Sequence, residues 1–323
     1  MSLPAEEIGR GTSGHQPDPA SAGSPAAQLS SRTRLAQEKA RVLREALPWV
    51  TRWAGSTVVV KYGGHVTGEL DAGQPVDAAF AADIALLRRV GLRVVVVHGG
   101  GPQISALSRR LGLEPRFVDG RRVTDEATLE VVRMVLLGQV NPRLVGLINA
   151  AGAPAVGVSG TDAGLLGVRP ADPALGAVGE VERVDTTVLD GLLDNGAVPV
   201  VATVGRGPGG EERNVNADTA AGAVAAALGA DKLIYLTNVP GLYEHFGTGD
   251  QALLSEVEPA RLREMLDTRE LHAGMVPKVE SMLAALEGGV DRAYLLDGRI
   301  EHALLLEIFT DEGIGTQVSK EAS

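Results

Sequence analysis

From about Thr33, Leu35, Val42, Leu43, Ala46, Leu47, Val50 and Trp53 recur at three- and four-residue steps, the stripe of an amphipathic helix. The other faces carry Arg34, Glu38, Lys39, Arg41, Arg44 and Glu45. Pro48 is expected to bend or break this helix near its end, because proline removes a backbone donor and crowds the preceding turn. Ahead of it, residues 1–32 are rich in Gly, Pro, Ser and Ala without apolar periodicity, and read as a disordered tail. The helix occupies 33–54.

After Gly55 the pattern changes to short β-branched runs alternating with helical stretches. Strands are predicted over 58–61, 93–98, 155–158, 197–204, 232–237 and 292–296. Helices are predicted over 78–90, 104–111, 128–150, 219–230, 259–266, 276–287 and 303–309. Unbroken apolar strands separated by helices predict an α/β fold with a mainly parallel central sheet sandwiched between helices. Two lobes are expected, 55–207 and 208–323. In such sheets ligands sit beyond the carboxyl ends of the strands, and the glycine clusters of this chain fall there.

Composition narrows the chemistry. The chain of 323 residues is 44% hydrophobic, with no cysteine and a formal net charge of −11. Absent cysteine removes disulfides, thiolate metal sites and a cysteine nucleophile. The acidic balance is a poor match for nucleic acid or an anionic membrane surface. No apolar stretch reads as long enough to span a bilayer, and the N-terminus lacks a signal-peptide core, so a cytoplasmic location is expected. An acidic chain binds an anion only where cations and backbone N–H groups are concentrated locally.

Five stretches offer such concentrations. Lys61-Tyr62-Gly63-Gly64 and His98-Gly99-Gly100-Gly101 each follow a strand, and glycine lets backbone N–H groups approach phosphate oxygens. Either alone is equally well explained as a tight strand-to-helix turn. Neither is a known nucleotide fingerprint: a G-x-G-x-x-G starting at Gly99 fails at Ile104, and no G-x-x-x-x-G-K-[ST] occurs. In "NVNADTAAGAVAAALGA", Asp218 stands as an N-cap before Thr219, while Asn214 and Asn216 would point the same way in an extended segment. In "GMVPKVESM", Lys278 sits in the first turn of a helix, against the dipole's preference, as a solvated side chain or as a cation meant for an anion. In "DGRRVTDE", Arg122 is either an exposed loop arginine or a two-pronged carboxylate ligand.

Taken together, KYGG, VVHGGGP, DGRRVTD, NVNAD, LTNVPGLY, GMVPK and the C-terminal DGR…LLLEIFTDEGIGT resemble, in order and spacing, N-acetyl-L-glutamate kinases of the amino-acid kinase superfamily. The resemblance covers about residues 33–318. It implies transfer of the γ-phosphoryl of ATP, with Mg²⁺ on its phosphates, to the side-chain carboxylate of N-acetyl-L-glutamate. The product is an acyl phosphate, and the step is the second of arginine biosynthesis. Residues 55–207 would then bind acetylglutamate and 208–323 ATP.

The same resemblance implies roles for residues. Lys61 and Lys278 would flank the transferred group, Asp218 would orient them, and Gly63, Gly64, Gly100 and Gly101 would donate backbone N–H groups. Arg122 would take the α-carboxylate, and Asn214 and Asn216 other polar groups of the substrate. Thr237, Asn238 and Gly241 would contact the nucleotide together with Lys278. Glu307 and Gly313 match the effector site of arginine-inhibited members, with Tyr294 at the place of a histidine often found near it; in those members an N-terminal helix links dimers into a hexamer. L-arginine is therefore the expected effector. A PII-type protein partners some relatives, and the sequence does not decide whether one partners this chain.

Departures from the family pattern are His65-Val66-Thr67 in place of Asn-Ala-Met, Asn238 in place of aspartate, Ala273 in place of glycine and Tyr294 in place of histidine. They leave open a kinase for another acylated amino acid, or a non-catalytic amino-acid or nucleotide-binding regulator.

Overall fold

The computed structural model describes residues 25–63, 75–244, 249–271, 274–310 and 313–319. Gly64, His65-Val66-Thr67 and Ala273 lie outside them. The chain divides into two compact units, 1–47 and 48–323. Helix α1 (Pro25–Trp53) begins inside the segment expected to be a tail and runs through Pro48, where the units divide. In the first unit its Leu35, Val42, Leu43 and Leu47 are exposed.

In the second unit β1 (Thr57–Tyr62), α2 (Pro75–Arg89), β2 (Arg93–His98) and α3 (Gly101–Arg110) alternate as the pattern predicts. A short hairpin of β3 (Phe117–Val118) and β4 (Arg121–Arg122) precedes α4 (Glu126–Val135) and α5 (Asn141–Ala150). Next come β5 (Ala155–Ser159), β6 (Leu166–Pro170), β7 (Val178–Val184), α6 (Thr187–Asp194), β8 (Val198–Ala202), β9 (Val204–Arg206) and β10 (Glu212–Val215). The remainder holds α7 (Ala217–Ala227), β11 (Lys232–Thr237), β12 (Leu242–Glu244), β13 (Ala252–Leu254) and β14 (Glu256–Val257). It ends with α8 (Pro259–Asp267), α9 (Val276–Glu287), β15 (Arg292–Asp297), α10 (Ala303–Ile308) and β16 (Thr316–Ser319).

Eight strands form the central sheet in the order β14-β16-β15-β11-β1-β2-β8-β5, parallel except where β15 meets β16. Strand β1 lies between β2 and β11, with Lys61 level with Val97 and Tyr235, and Val58 level with Lys232. Because strand side chains alternate, Val58, Val60 and Tyr62 enter one core with Phe80, Ile84, Val132 and Leu144. Val59 enters the other with Val224, Met282 and Leu286, and Lys61 shares its face. That second face carries the alanine-rich α7, whose small side chains let it pack closely on α9.

Two features were not foreseen. Strands β6, β7, β9 and β10 close into a small barrel, and the strand expected over 197–204 divides between the sheet and this barrel. The helix expected over 128–150 contains a π-turn, Leu136–Val140, between α4 and α5. Contrary to the sequence reading, Glu126–Ala150 is long and apolar enough to cross a bilayer by composition alone. Here its Val131, Val132, Val135, Leu144 and Ile148 are buried in the sheet's first core.

Candidate active site

The carboxyl ends of β1 and β2, the start of α7 and the start of α9 surround a cavity of about 610 Å³. Its centre is a three-residue charge cluster. Lys61 Nζ from β1 lies 2.8 Å from Asp218 Oδ1, and Lys278 Nζ from α9 lies 2.9 Å from Asp218 Oδ2. Burial alone would push the Asp218 carboxyl up, but Lys61 and then Lys278 hold it down at about 2. One carboxylate between two ammonium groups leaves a net positive charge facing the cavity.

The sequence reading of Asp218 as an N-cap is corrected by the structure. Asn216 caps α7, its Oδ1 accepting from the N–H groups of Asp218 and Thr219 at 2.8 and 3.1 Å. That frees Asp218, in the first turn of α7, to bridge the lysines. Ser281 Oγ donates to the Asp218 carbonyl at 2.7 Å and meets Tyr235 Oη at 2.6 Å. These contacts fix the start of α7 against α9.

Gly100 and Gly101 line the cavity where β2 hands over to α3, whereas Gly63, the residue after β1, does not line it; a Cβ there would stand 3.2 Å from Lys61 Nζ. A Cβ at Gly100 would stand 2.8 Å from Leu136 Cδ2 of the π-turn, so the loop and that turn touch closely. Arg122 enters from the β3–β4 hairpin. Its Nη2 donates to the Gly101 carbonyl at 2.9 Å and to Ser105 Oγ at 2.8 Å, and its guanidinium lies 4.7 Å from the Phe117 ring centre. Nη1 is buried with no partner among the described residues. Burial, and then Arg109, lowers the Arg122 pKa. An anionic ligand would relieve both. Asn214 also lines the cavity, donating to Thr124 Oγ1 at 3.1 Å.

The expected nucleotide residues are not all brought here. Thr237 ends β11, Asn238 and Gly241 follow it, and none of the three lines this cavity. Thr237 is buried, its Oγ1 donating to the Val239 carbonyl at 3.0 Å, whereas Asn238 is exposed. Residues that the sequence reading missed do line it, among them Arg121, Arg169, Glu180 and Ser281.

A second cavity, of about 510 Å³, is lined by the expected Tyr294, Glu307 and Gly313. Trp49, Arg52, Trp53, Lys232 and Arg292 line it too and were not anticipated. Lys232 Nζ donates to Tyr294 Oη at 2.6 Å and lies 3.8 Å from the Trp53 ring centre. Burial, then Arg292, pulls its pKa down to about 7. Glu307 Oε2 accepts from the Ile314 N–H at 2.8 Å. The signal was present: Lys232 opens an otherwise apolar strand, just as Lys61 nearly closes one.

Two lysines bridged by one carboxylate at the carboxyl edge of this sheet make a fixed cationic site fit for an anionic group. The chain belongs to the amino acid kinase family, which matches residues 56–297. Its resemblance to acetylglutamate kinases is borne out by close relatives. The acetylglutamate kinase of Frankia alni is 53% identical over 299 residues, 90% of this chain and 85% of the relative. That of Symbiobacterium thermophilum is 49% identical over 294 residues, 88% of this chain and 99% of the relative.

Among solved structures, N-acetylglutamate synthase from Neisseria gonorrhoeae, complexed with coenzyme A and N-acetyl-glutamate, matches with a TM-score of 0.76 and 30% identity. The match covers 88% of this chain and 64% of the synthase chain, so this chain spans under two thirds of that protein. Carbamate kinase from Giardia lamblia bound to AMP-PNP shares the fold, at a TM-score of 0.64 and 19% identity over 83% of this chain and 99% of that one.

Proposed function

We propose that this chain transfers the γ-phosphoryl group of ATP to the side-chain carboxylate of N-acetyl-L-glutamate, the second step of arginine biosynthesis, in the cytoplasm. The observation that carries the reading is the Lys61–Asp218–Lys278 cluster opposite an Arg122 whose Nη1 is buried without a partner. A carboxylate has a reference pKa near 4.3 and is already a nucleophile at neutral pH, so no general base is needed. A carboxylate oxygen attacks the γ-phosphorus as the bond to the β–γ bridging oxygen breaks, giving an acyl phosphate and ADP. The demand on the protein is positioning and charge stabilisation.

In this reading Arg122 pairs with the α-carboxylate and Asn214 and Asn216 hold the remaining polar groups. Lys61 and Lys278 neutralise charge on the transferring group, with Gly63, Gly64, Gly100 and Gly101 supplying N–H groups. Thr237, Asn238 and Gly241 lie on the nucleotide's path. Both Asp218 oxygens are engaged by lysines, and among the described residues no group of three His, Cys, Asp or Glu side chains suits a metal. Mg²⁺ is read as part of the MgATP substrate, carried on its phosphates.

We assign the second cavity to L-arginine as feedback inhibitor, with Glu307 and Gly313 toward the guanidinium end and Tyr294 beside Lys232. A related synthase from Neisseria gonorrhoeae, 29% identical, was solved with coenzyme A and L-arginine, which supports the assignment. The exposed stripe of Leu35, Val42, Leu43 and Leu47 supports pairing of α1 with other copies, up to a hexamer. The test is hydroxylamine trapping of acyl phosphate by purified protein with MgATP and N-acetyl-L-glutamate, free glutamate or N-acetyl-aminoadipate, with and without arginine. Hydroxamate from N-acetyl-L-glutamate, suppressed by arginine, is expected. No product from it, or a stronger yield from N-acetyl-aminoadipate, would overturn the assignment.

A further inference from the structure

His98 closes β2 and is wholly buried. Its Nε2 meets Asn141 Nδ2 at 3.0 Å, and its Nδ1 meets the Gly99 carbonyl oxygen at 3.0 Å. Asn141 Nδ2 also donates to the Val200 carbonyl at 2.8 Å. That bond orients the amide, since a flipped amide would set oxygen against oxygen. The amide's second hydrogen then faces His98 Nε2, which must be the unprotonated acceptor. The imidazole proton is therefore on Nδ1 and is donated to the Gly99 carbonyl. Burial holds the His98 pKa at about 4, so the ring stays neutral at working pH.

The consequence lies in the next peptide plane. The carbonyl of Gly99 and the N–H of Gly100 belong to one planar trans unit and point in opposite directions. Holding the carbonyl against the buried ring turns the Gly100 N–H the other way, toward the cavity that Gly100 lines. Two further contacts fix the loop. Thr203 Oγ1 donates to the His98 carbonyl at 3.4 Å, and Leu136 and Val140 of the π-turn pack where a Gly100 Cβ would be. Asn141 immediately follows that π-turn, whose extra residue sets the register of the amide on its helix. Such turns frequently interrupt helices at functional sites.

We propose that His98, Asn141 and the π-turn Leu136–Val140 form a neutral positioning clamp that aims the Gly100 N–H at the transferring phosphoryl group. The clamp touches no substrate; it acts through the glycine peptide. It rests on the reading of this cavity as a phosphoryl-transfer site.

The test joins kinetics to ¹⁵N-histidine NMR of the full chain. His98→Leu and Asn141→Leu are expected to lower kcat by about tenfold to a hundredfold, the scale of a displaced reacting contact. KM for MgATP and for the acceptor should change less than about threefold. His98→Asn, whose amide N–H occupies the place of Nδ1–H, should recover kcat to within about threefold of the parent. The parent spectrum should contain one histidine that stays neutral to pH 5 as the Nδ1–H tautomer and disappears in His98→Asn. Parent-like kcat in both leucine variants, a change confined to KM, or failure of His98→Asn to recover kcat would overturn the clamp. So would an Nε2–H tautomer, a readout that survives if the leucine variants do not fold. Absence of acyl phosphate from the parent would instead overturn the functional reading, leaving the tautomer to decide the geometry.

Discussion

Lys61 and Lys232 sit on adjacent parallel strands, three register positions apart, and meet opposite treatment. Lys61 reaches the carboxyl edge of the sheet and finds Asp218 at 2.8 Å. Lys232 opens β11 at the amino edge and has no carboxylate within ion-pair distance among the described residues; a Trp53 ring and a Tyr294 hydroxyl enclose it instead. Both are almost fully buried. The first is held in an ion pair, whereas the second has its desolvation offset only in part, by Glu307 and Asp231 beyond ion-pair distance. A buried lysine is thus read by its partner: with a carboxylate it marks fixed charge ready for chemistry, and with aromatic walls it marks a place that an incoming anion completes.

The sharpest way to break the comparison is to remove the acid. Asp218→Asn strands two ammonium groups and is expected to cost about 3–5 kcal/mol of stability at pH 7. Urea unfolding at pH 7 and near pH 2 checks this. A depressed carboxyl contributes stability above its unfolded pKa that is lost as pH falls through the folded value of about 2, so parent and variant should converge there. Lys61→Ala and Lys278→Ala should each lower turnover on the order of 10²–10³-fold, as for loss of one preorganised donor. Near-normal turnover in either would remove that lysine from the chemistry.

A smaller effect is expected from His98. Its folded pKa of about 4 lies below the unfolded value, so the unfolded chain takes up a proton first as pH falls. Stability should drop by on the order of 2 kcal/mol from pH 7 to pH 5 through this group. His98→Asn should remove that part of the slope in parallel chemical denaturation series. The difference isolates it from His302, whose pKa is raised by a hydrogen bond to Asp83 and which acts in the opposite sense. The smallest effect belongs to Lys232→Met. Turnover should stay within about twofold and the thermal midpoint should not fall, because an unpaired buried ammonium is removed. Arginine should no longer inhibit. A marked loss of stability would show instead that Lys232 supports the fold as Lys61 does.

The sheet was largely legible because its strands are written in one residue type. Val94 to Val97 in β2 and Leu233 to Leu236 in β11 are apolar on both faces, as strands covered on both sides must be. The barrel was not legible for the converse reason. Its strands carry Arg169, Glu180, Glu182, Arg183, Glu212 and Arg213, which read as loop. The π-turn has no sequence signature, although its Leu136 and Val140 lie close against Gly100. In the site, glycines and misplaced charges drew attention to Lys61, Lys278 and Arg122. Asp218 was misjudged because capping is decided by geometry, and Asn216, two residues earlier, took the cap. Lys232 was passed over because a cation beginning a strand carries no glycine beside it.

The register of β1 bears on how the two cavities can influence each other. Its residues alternate between two separate cores, so sliding the strand by one position would exchange Lys61 with Tyr62 and bury each among the other's neighbours. Register slippage is therefore closed to the sheet. On the proposed regulation by arginine, a signal from the second cavity to the first would run through the helices laid on the sheet rather than through a shift of its strands. Helix α10 offers a route: Glu307 lies on it in the second cavity, while at its start His302 grips Asp83 of α2 across 2.6 Å.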